Sequence, residues 1–339
     1  MWHFLRSIRT RRATLPLRVL ATGVAYPERH VTADELDTRL GRPPGTTLHS
    51  SGVEARYLSG SHETQSELGA RALHAALDRA GLDAAGIDLL LGACGVPEQA
   101  LPSTACAIAA HARLADGTPA FDVNASCLSF LAALHQAAAL LATGHYRRIA
   151  IVSADLPSRG VDWAQPHASS IFGDGAAAVI VEQGDGRAGI LAYRFKTYPA
   201  GRRHCEIRAG GTLRNPRNGV EADDYLFQMD GRAAFRLASQ VLPPLMRGAL
   251  VEAGVALDDV DTVVPHQASR LAMDHLARQL KIDTRRLVDI YARHGNQVAA
   301  SLPTALDHAN DRGALVPGKH LMLLGTAAGL SAGVMVLRT

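Results

Sequence analysis

Ala120-Phe121-Asp122-Val123-Asn124-Ala125-Ser126-Cys127-Leu128-Ser129-Phe130-Leu131 is the stretch that decides how this chain folds. Residues 120–123 read as a buried strand. Residues 127–143 read as a helix that is apolar nearly all round, through Leu128, Phe130, Leu131, Leu134, Leu140 and Leu141, and that Gly144 ends. Such a helix must be enclosed by other structure. Arg148-Ile149-Ala150-Ile151-Val152 then returns as a second strand. A strand, an enclosed helix and another strand in close succession make the basic unit of an α/β protein.

The same grammar extends in both directions. On the N-terminal side, residues 18–24 read as an opening strand. Residues 63–80 form an amphipathic helix with Leu68, Ala72, Leu73, Ala76 and Leu77 at helical spacing and Gly81 as its stop. Residues 87–93 are a buried strand, 104–112 a helix, and 177–181 the strand that closes the first half. On the C-terminal side, residues 230–253 are helical, interrupted or restarted near Pro243-Pro244. A strand at 261–264 ends in Pro265-His266, helices follow at 268–280 and 299–311, and a strand at 320–324 comes last. Residues 193–227, Gly- and Arg-rich, read as irregular variable surface. The order of elements is alike in the two halves, but the residues themselves show no repeat. Two α/β halves, 17–182 and 183–339, are expected.

Composition narrows the class. The chain has 339 residues, 47% hydrophobic and 20% charged, with a formal net charge of +3. That is a well-cored globule rather than a disordered chain. Lys+Arg 35 and Asp+Glu 32 nearly cancel, so charge gives no argument for nucleic acid. No apolar run approaches the ~18 residues that would cross a membrane. Arg6, Arg9, Arg11 and Arg12 precede no apolar run, which predicts a frayed basic arm rather than a secretory signal. The four cysteines, Cys94, Cys106, Cys127 and Cys205, form no C-x-x-C pair. That pattern fits a reducing, cytoplasmic setting and argues against both a disulfide framework and zinc, so no metal is expected.

Three residues stand where chemistry is feasible. Cys127 follows a buried strand and begins the long helix, so helix N–H groups and their partial positive charge are expected to lower its pKa. The plainer reading is a small buried hydrophobe. His266 ends an apolar strand in Val263-Val264-Pro265-His266-Gln267, where ligand crevices form in α/β sheets, or else it is satisfied by a backbone carbonyl. Asn296, in His294-Gly295-Asn296-Gln297, sits in a loop before a helix and is otherwise an ordinary turn or cap residue. Gly173-Asp174-Gly175-Ala176-Ala177-Ala178 matches the dinucleotide pattern but runs into the strand-like Val179-Ile180-Val181 instead of a helix, so NAD is rejected and no cofactor is expected. Cysteine, histidine and asparagine in that order also suggest a papain-like protease. The residues around Cys127 carry neither the glycine nor the aromatic of that signature.

Taken in order, Leu101-Pro102-Ser103-Thr104-Ala105-Cys106, Phe121-Asp122-Val123-Asn124-Ala125-Ser126-Cys127, Ile171-Phe172-Gly173-Asp174-Gly175-Ala176, Pro265-His266-Gln267-Ala268 and His294-Gly295-Asn296 resemble the β-ketoacyl-acyl-carrier-protein synthase III family of thiolase-fold condensing enzymes. The resemblance spans about residues 17–337. It implies a thiolase-like fold of two pseudo-symmetric α/β halves with a five-layered αβαβα core, usually a homodimer. It also implies that Cys127 carries an acyl group, that backbone N–H groups of Cys127 and Ala328 bind the thioester oxyanion, and that His266 and Asn296 hydrogen-bond an enolate. The implied partners are acyl carrier protein and acyl-CoA thioesters, with neither nucleic acid nor membrane.

The departures from the family pattern are local. Thr46-Thr47-Leu48-His49-Ser50-Ser51 lacks the Trp and Arg that clamp the adenine of coenzyme A. Leu271 takes the place of the arginine thought to meet the carrier protein, with Arg270 one place off, and Ser269 replaces an Asn. Leu101 replaces the phenylalanine at the mouth of the substrate pocket, and the last glycine-rich loop is partly alanine. These departures point to a specialised paralogue. Decarboxylative condensation is the expected function. Acyl transfer from Cys127 to an alcohol, amine or second acyl chain is the alternative, and an inactive partner subunit the third possibility.

Overall fold

The computed structural model describes residues 15–281 and 283–339. The basic arm expected at residues 6–12 lies outside the described residues. Two five-stranded mixed sheets organise the chain.

The first half contributes β1 (Arg18–Ala25), α1 (Gln65–Ala80), β2 (Leu89–Gly92), α2 (Thr104–His111), β3 (Ala120–Asp122), α3 (Ser129–Ala142), β4 (Arg148–Asp155) and β5 (Gly175–Glu182). The second contributes β6 (Gly189–Thr197), α4 (Gly231–Ala253), β7 (Thr262–Pro265), α5 (Arg270–Leu280), α6 (Ser301–Asp311), β8 (His320–Ala327) and β9 (Ser331–Arg338). The first sheet runs β1-β5-β4-β2-β3. The second runs β6-β9-β8-β7, with the short strand Leu15–Pro16 added on the β6 edge. In both sheets the first two pairings are antiparallel, β1–β5 and β5–β4 in one and β6–β9 and β9–β8 in the other, and the next, β4–β2 and β8–β7, is parallel. Where β3 lies in the first sheet, the second has only a parallel bridge from Val263 to Leu287.

Three apolar clusters fill the spaces between five layers. Leu68, Leu73 and Leu77 of α1 and Ile108 of α2 cover the outer face of the first sheet. Phe130, Leu131 and Leu134 of α3, with Leu302 and Leu306 of α6, lie between the sheets. Leu245 and Met246 of α4, with Met273 of α5, cover the second sheet. Within β4, Ile149 and Ile151 face the central cluster while Ala150 and Val152 face the outer one. Burial on both faces is why this strand reads as a continuous apolar run.

Several boundaries differ from those expected, each for a local reason. α1 begins at Gln65 because Thr64 caps it, accepting from the Glu67 N–H while the Glu67 carboxylate accepts from the Thr64 N–H. α5 begins at Arg270 because Ser269 is its cap, accepting from the Ala272 N–H. α4 is one helix through Pro243 and Pro244 rather than two, held against the second sheet by Leu245, Met246, Ala249 and Leu250. Residues 193–197, expected to be irregular, belong to β6. Their charged side chains hid the strand: Arg194 lies across Gly248, which has room for it only without a Cβ, and pairs with Glu252 at 3.0 Å.

Candidate functional site

The central helices α3 and α6 both begin where the two halves meet, and the residues singled out from sequence lie around those beginnings. Cys127 is not in α3, as expected, but two residues before it, in a tight turn. Asn124 Oδ1 accepts the Ser126 N–H at 3.0 Å, and the Ala125 N–H donates to Ser129 Oγ at 2.9 Å. Between these anchors Ser126 takes φ +52°, the left-handed region that a non-glycine residue enters only when its surroundings impose it. The turn presents Cys127 half-buried, with the backbone N–H groups of Ala328 and of Cys127 itself directed at the sulfur.

The electrostatics correct the expectation of a depressed pKa. Burial, then the nearby Asp155 carboxylate and the Cys205 thiol, push the Cys127 thiol up to about 12, against the pull of those two N–H groups. The resting sulfur is therefore a thiol.

His266 follows β7, its N–H donating to Leu324 O at 2.8 Å. The side chain is buried, and burial holds the imidazole down at about 4, so it is neutral. Nδ1 is buried and meets no protein partner. Gly325 makes this placement possible: a Cβ there would lie 2.6 Å from the His266 Cβ and 3.2 Å from Leu128 Cδ2. The same glycine thus touches both the histidine and the residue after Cys127.

Asn296 is buried in the turn before α6. Its Nδ2 donates to Ala268 O at 3.1 Å, two residues past His266, and its Oδ1 accepts the Val298 N–H at 2.8 Å. The backbone on either side is gripped by the Gly173 segment, since the Asn296 N–H donates to Ile171 O at 2.7 Å and the Gly173 N–H to Asn296 O at 3.2 Å. A Cβ on Gly173 would fall 2.1 Å from His294 O. The glycine-rich stretch is therefore a packing element against the Asn296 turn, and Gly175 opens strand β5.

Sequence reasoning missed two residues here. Asp155, the last residue of β4, is 2% exposed and accepts four backbone N–H groups. Gly95 at 2.8 Å and Val96 at 3.3 Å bond Oδ1, while Ala299 at 3.1 Å and Ala300 at 3.2 Å bond Oδ2. It thereby ties the 94–96 loop of the first half to the Asn296 turn of the second. Burial pushes its carboxyl up to about 7 against those four donors. The available signal was a lone carboxylate, which must find donors on folding, closing a strand whose interior is apolar but for Ser153. Cys205, outside the three residues singled out from sequence, is close enough to Cys127 to act on its titration, and no motif announced that.

The remaining sequence candidates are not brought to this cluster. Leu101 stands 86% exposed. Residues 46–51 form a short helix. Arg42 beside it donates to Trp163 O and to Ser170 Oγ. Arg270 does not stand in for the arginine absent at Leu271, because it pairs with Asp274 at 3.0 Å and Asp289 at 2.6 Å. Arg208 and Arg214 both pair with the buried Asp224, at 2.8 and 4.0 Å.

A cavity of about 290 Å³ opens between α4 and α5, walled by Phe235, Leu242, Met246 and Met273 and bounded at the strand ends by His266 and Gly325. Among the described residues no group of three or more His, Cys, Asp or Glu is placed to hold a metal ion, and no helix is long and apolar enough to cross a membrane.

Comparison with known proteins places this geometry in context. Residues 121–199 match the family model for 3-oxoacyl-[acyl-carrier-protein] synthase III, residues 250–339 match its C-terminal model, and residues 55–153 match the N-terminal domain of thiolase. The chain is 35% identical over 325 residues to a β-ketoacyl-[acyl-carrier-protein] synthase III of Bordetella petrii, covering 94% of this chain and 97% of that one. A protein of the same name from Neisseria meningitidis serogroup B is 31% identical, over 95% and 98% of the two chains. The crystal structure of 3-oxoacyl-[acyl-carrier-protein] synthase III from Aquifex aeolicus VF5 superposes with a TM-score of 0.85 at 28% identity, covering 95% of this chain and all of that one.

Proposed function

Because the chain belongs to the β-ketoacyl-acyl-carrier-protein synthase III family of condensing acyltransferases, we propose that Cys127 takes up an acyl group and passes it to a malonyl-type thioester by decarboxylative Claisen chemistry. In the first half-reaction the Cys127 sulfur attacks the thioester carbonyl. Its proton passes by way of the neutral His266 to the departing thiol, and the N–H groups of Ala328 and Cys127 meet the charge that develops on the carbonyl oxygen. In the second, the extender loses CO2, His266 and the outer N–H of Asn296 Nδ2 hydrogen-bond the enolate oxygen, and the enolate carbon displaces the Cys127 sulfur. The products are CO2, a 3-oxoacyl thioester and the Cys127 thiolate, which takes up a proton from solvent to restore the resting thiol.

The observation that carries this reading is the convergence of two N–H donors on the half-buried Cys127 sulfur, with the neutral His266 packed on Gly325, the glycine that also meets Leu128, the residue after Cys127. A neutral imidazole can donate to an enolate oxygen without bringing a full charge that burial would penalise.

The departure at Thr46–Ser51 supports a carrier protein or an unusual thioester as donor rather than acetyl-CoA. A cytoplasmic homodimer built from halves 17–182 and 183–339 completes the proposal. The exposed Leu101, Phe121 and Val96 supply apolar surface for a second copy to cover and so to bring Leu101 to a pocket mouth. Incubation with acyl thioesters and malonyl-carrier protein tests the function. Equimolar CO2 and 3-oxoacyl product are expected, whereas acyl transfer without CO2 release would favour the non-decarboxylating alternative.

A further inference from the structure

The turn that carries Cys127 occurs twice. Asn124-Ala125-Ser126-Cys127-Leu128-Ser129 leads into α3, and Asn296-Gln297-Val298-Ala299-Ala300-Ser301 leads into α6. Asn124 Oδ1 accepts from Ser126 N–H at 3.0 Å, and Asn296 Oδ1 from Val298 N–H at 2.8 Å. Asn124 Nδ2 donates to Gly95 O at 3.4 Å, and Asn296 Nδ2 to Ala268 O at 3.1 Å. The N–H groups of Ala125 and Gln297 each donate to the serine hydroxyl at 2.9 Å. Ser126 and Val298 take φ +52° and +53°.

The sheets extend the match. Both β4 and β8 are eight residues long, and laid end to end they place Asp155 on Ala327. The adjoining strands place Ala93 on His266: the Ala93 N–H donates to Val152 O at 2.7 Å and the His266 N–H to Leu324 O at 2.8 Å.

The two turns differ in what their amides meet. In the second, the N–H groups of Ala299 and Ala300 donate to Asp155 Oδ2. Their counterparts in the first are the N–H groups of Cys127 and Leu128; Leu128 N–H donates to Ala125 O at 3.2 Å, as Ala300 N–H also does to Gln297 O at 3.0 Å, and the strand end that should supply a carboxylate is the buried methyl group of Ala327.

We propose that Ala327 keeps the oxyanion position vacant: its methyl group leaves the Cys127 N–H open for a thioester oxygen, while Asp155 fills the matching position of the other turn with a built-in carboxylate. The inference rests on the reading that the Cys127 N–H binds that oxygen. One fold thus contains two copies of an anion-accepting turn, one plugged and one open.

The test exchanges the plug. Ala327→Asp places a carboxylate where Asp155 has one, and Ala327→Leu adds bulk without an acceptor. Acylation of Cys127 by acetyl-, butyryl- and decanoyl-carrier protein, and by the matching CoA thioesters, is followed by intact mass. Ala327→Asp should lose about 100-fold or more in acylation rate, the cost of an oxyanion donor. It should fall at least tenfold below Ala327→Leu at pH 8 and recover towards it at pH 6 as the carboxyl protonates. Equal losses in the two variants at both pH values would mean that volume alone matters and would overturn the proposal. A second arm needs no thioester. Asp155→Ala, or Asp155→Ser should the alanine variant fail to fold, vacates the second amide pair, so formate should raise its Tm by several degrees over equimolar chloride and leave the wild type unmoved. Absence of a formate effect would also overturn the proposal. A wild type that no thioester acylates would refute the functional reading while the formate arm still decides the role of Asp155.

Discussion

Asp155→Asn is the substitution for which the structure gives the clearest magnitude. The carboxylate offers two acceptor oxygens, each bonded to two backbone N–H groups: Gly95 and Val96 on one side, Ala299 and Ala300 on the other. An asparagine retains one oxygen and turns an NH2 towards the remaining pair. Two buried amides then lose their acceptor and face a donor, at about 1–3 kcal/mol each, or about 2–6 kcal/mol in sum. A domain of 150–250 residues shifts by about 2–4 °C per kcal/mol, and this longer chain by about 1.4 °C, so Tm should fall by roughly 3–8 °C. Asp155→Ala, which strips all four, should fall further. The assay is thermal unfolding followed by circular dichroism, with urea titration to separate stability from a change in exposed surface. An asparagine variant within about 1 °C of the wild type would refute the four-acceptor reasoning. It would mean that the carboxyl is already protonated in the fold, as its upward shift by burial would allow.

His266→Ala and Asn296→Ala should still form the acyl-enzyme but lose malonyl decarboxylation by about 10²–10³-fold, because their donors meet charge that appears only in the second half-reaction; equal loss of acylation in both folded variants, measured by intact mass, would contradict that division. His294 is buried, and burial, then His308, hold it down at about 4. Unfolding between pH 4 and an unfolded value of about 6.5 therefore takes up a proton, so its contribution to stability is present above that window and is lost as pH falls through it, at up to about 1.4 kcal/mol per pH unit. The Tm difference between pH 7.5 and pH 5 should accordingly narrow in His294→Gln, and an unchanged difference would show that His294 does not titrate in that window. Free coenzyme A should bind weakly, since residues 46–51 offer no Trp or Arg and Arg42, Arg208 and Arg214 are engaged within the fold; low-micromolar affinity by calorimetry would show that another surface replaces the clamp.

The large apolar runs made the architecture legible. Residues 148–152 could be read as a strand because β4 is buried on both faces, and the enclosed helix after Cys127 could be read because α3 lies between two sheets. Residues 120–122 also form a strand, but β3 lies at a sheet edge with Phe121 and Asp122 exposed rather than buried as expected. The positions of Cys127, His266 and Asn296 were legible as strand ends and helix beginnings. What the sequence concealed was carried by single polar atoms. The repeated turn shares only an Asn and a Ser at matching places, too little to register as a repeat, although its hydrogen bonds and its positive φ recur almost unchanged. Asp155 looked like any strand-end acid until four amides from two distant segments converged on it. The thiol of Cys127 was expected to be acidified by a helix that begins two residues too late to do so, and burial decides its titration instead.

The central claim is that the acyl group is held on Cys127, and peptide mass spectrometry after incubation with an accepted acyl thioester tests it most directly. The tryptic peptide containing Cys127 should gain the acyl mass, and Cys127→Ala should abolish the adduct. An acyl group found on Cys94, Cys106 or Cys205 and persisting in Cys127→Ala would contradict the mechanism at its first step.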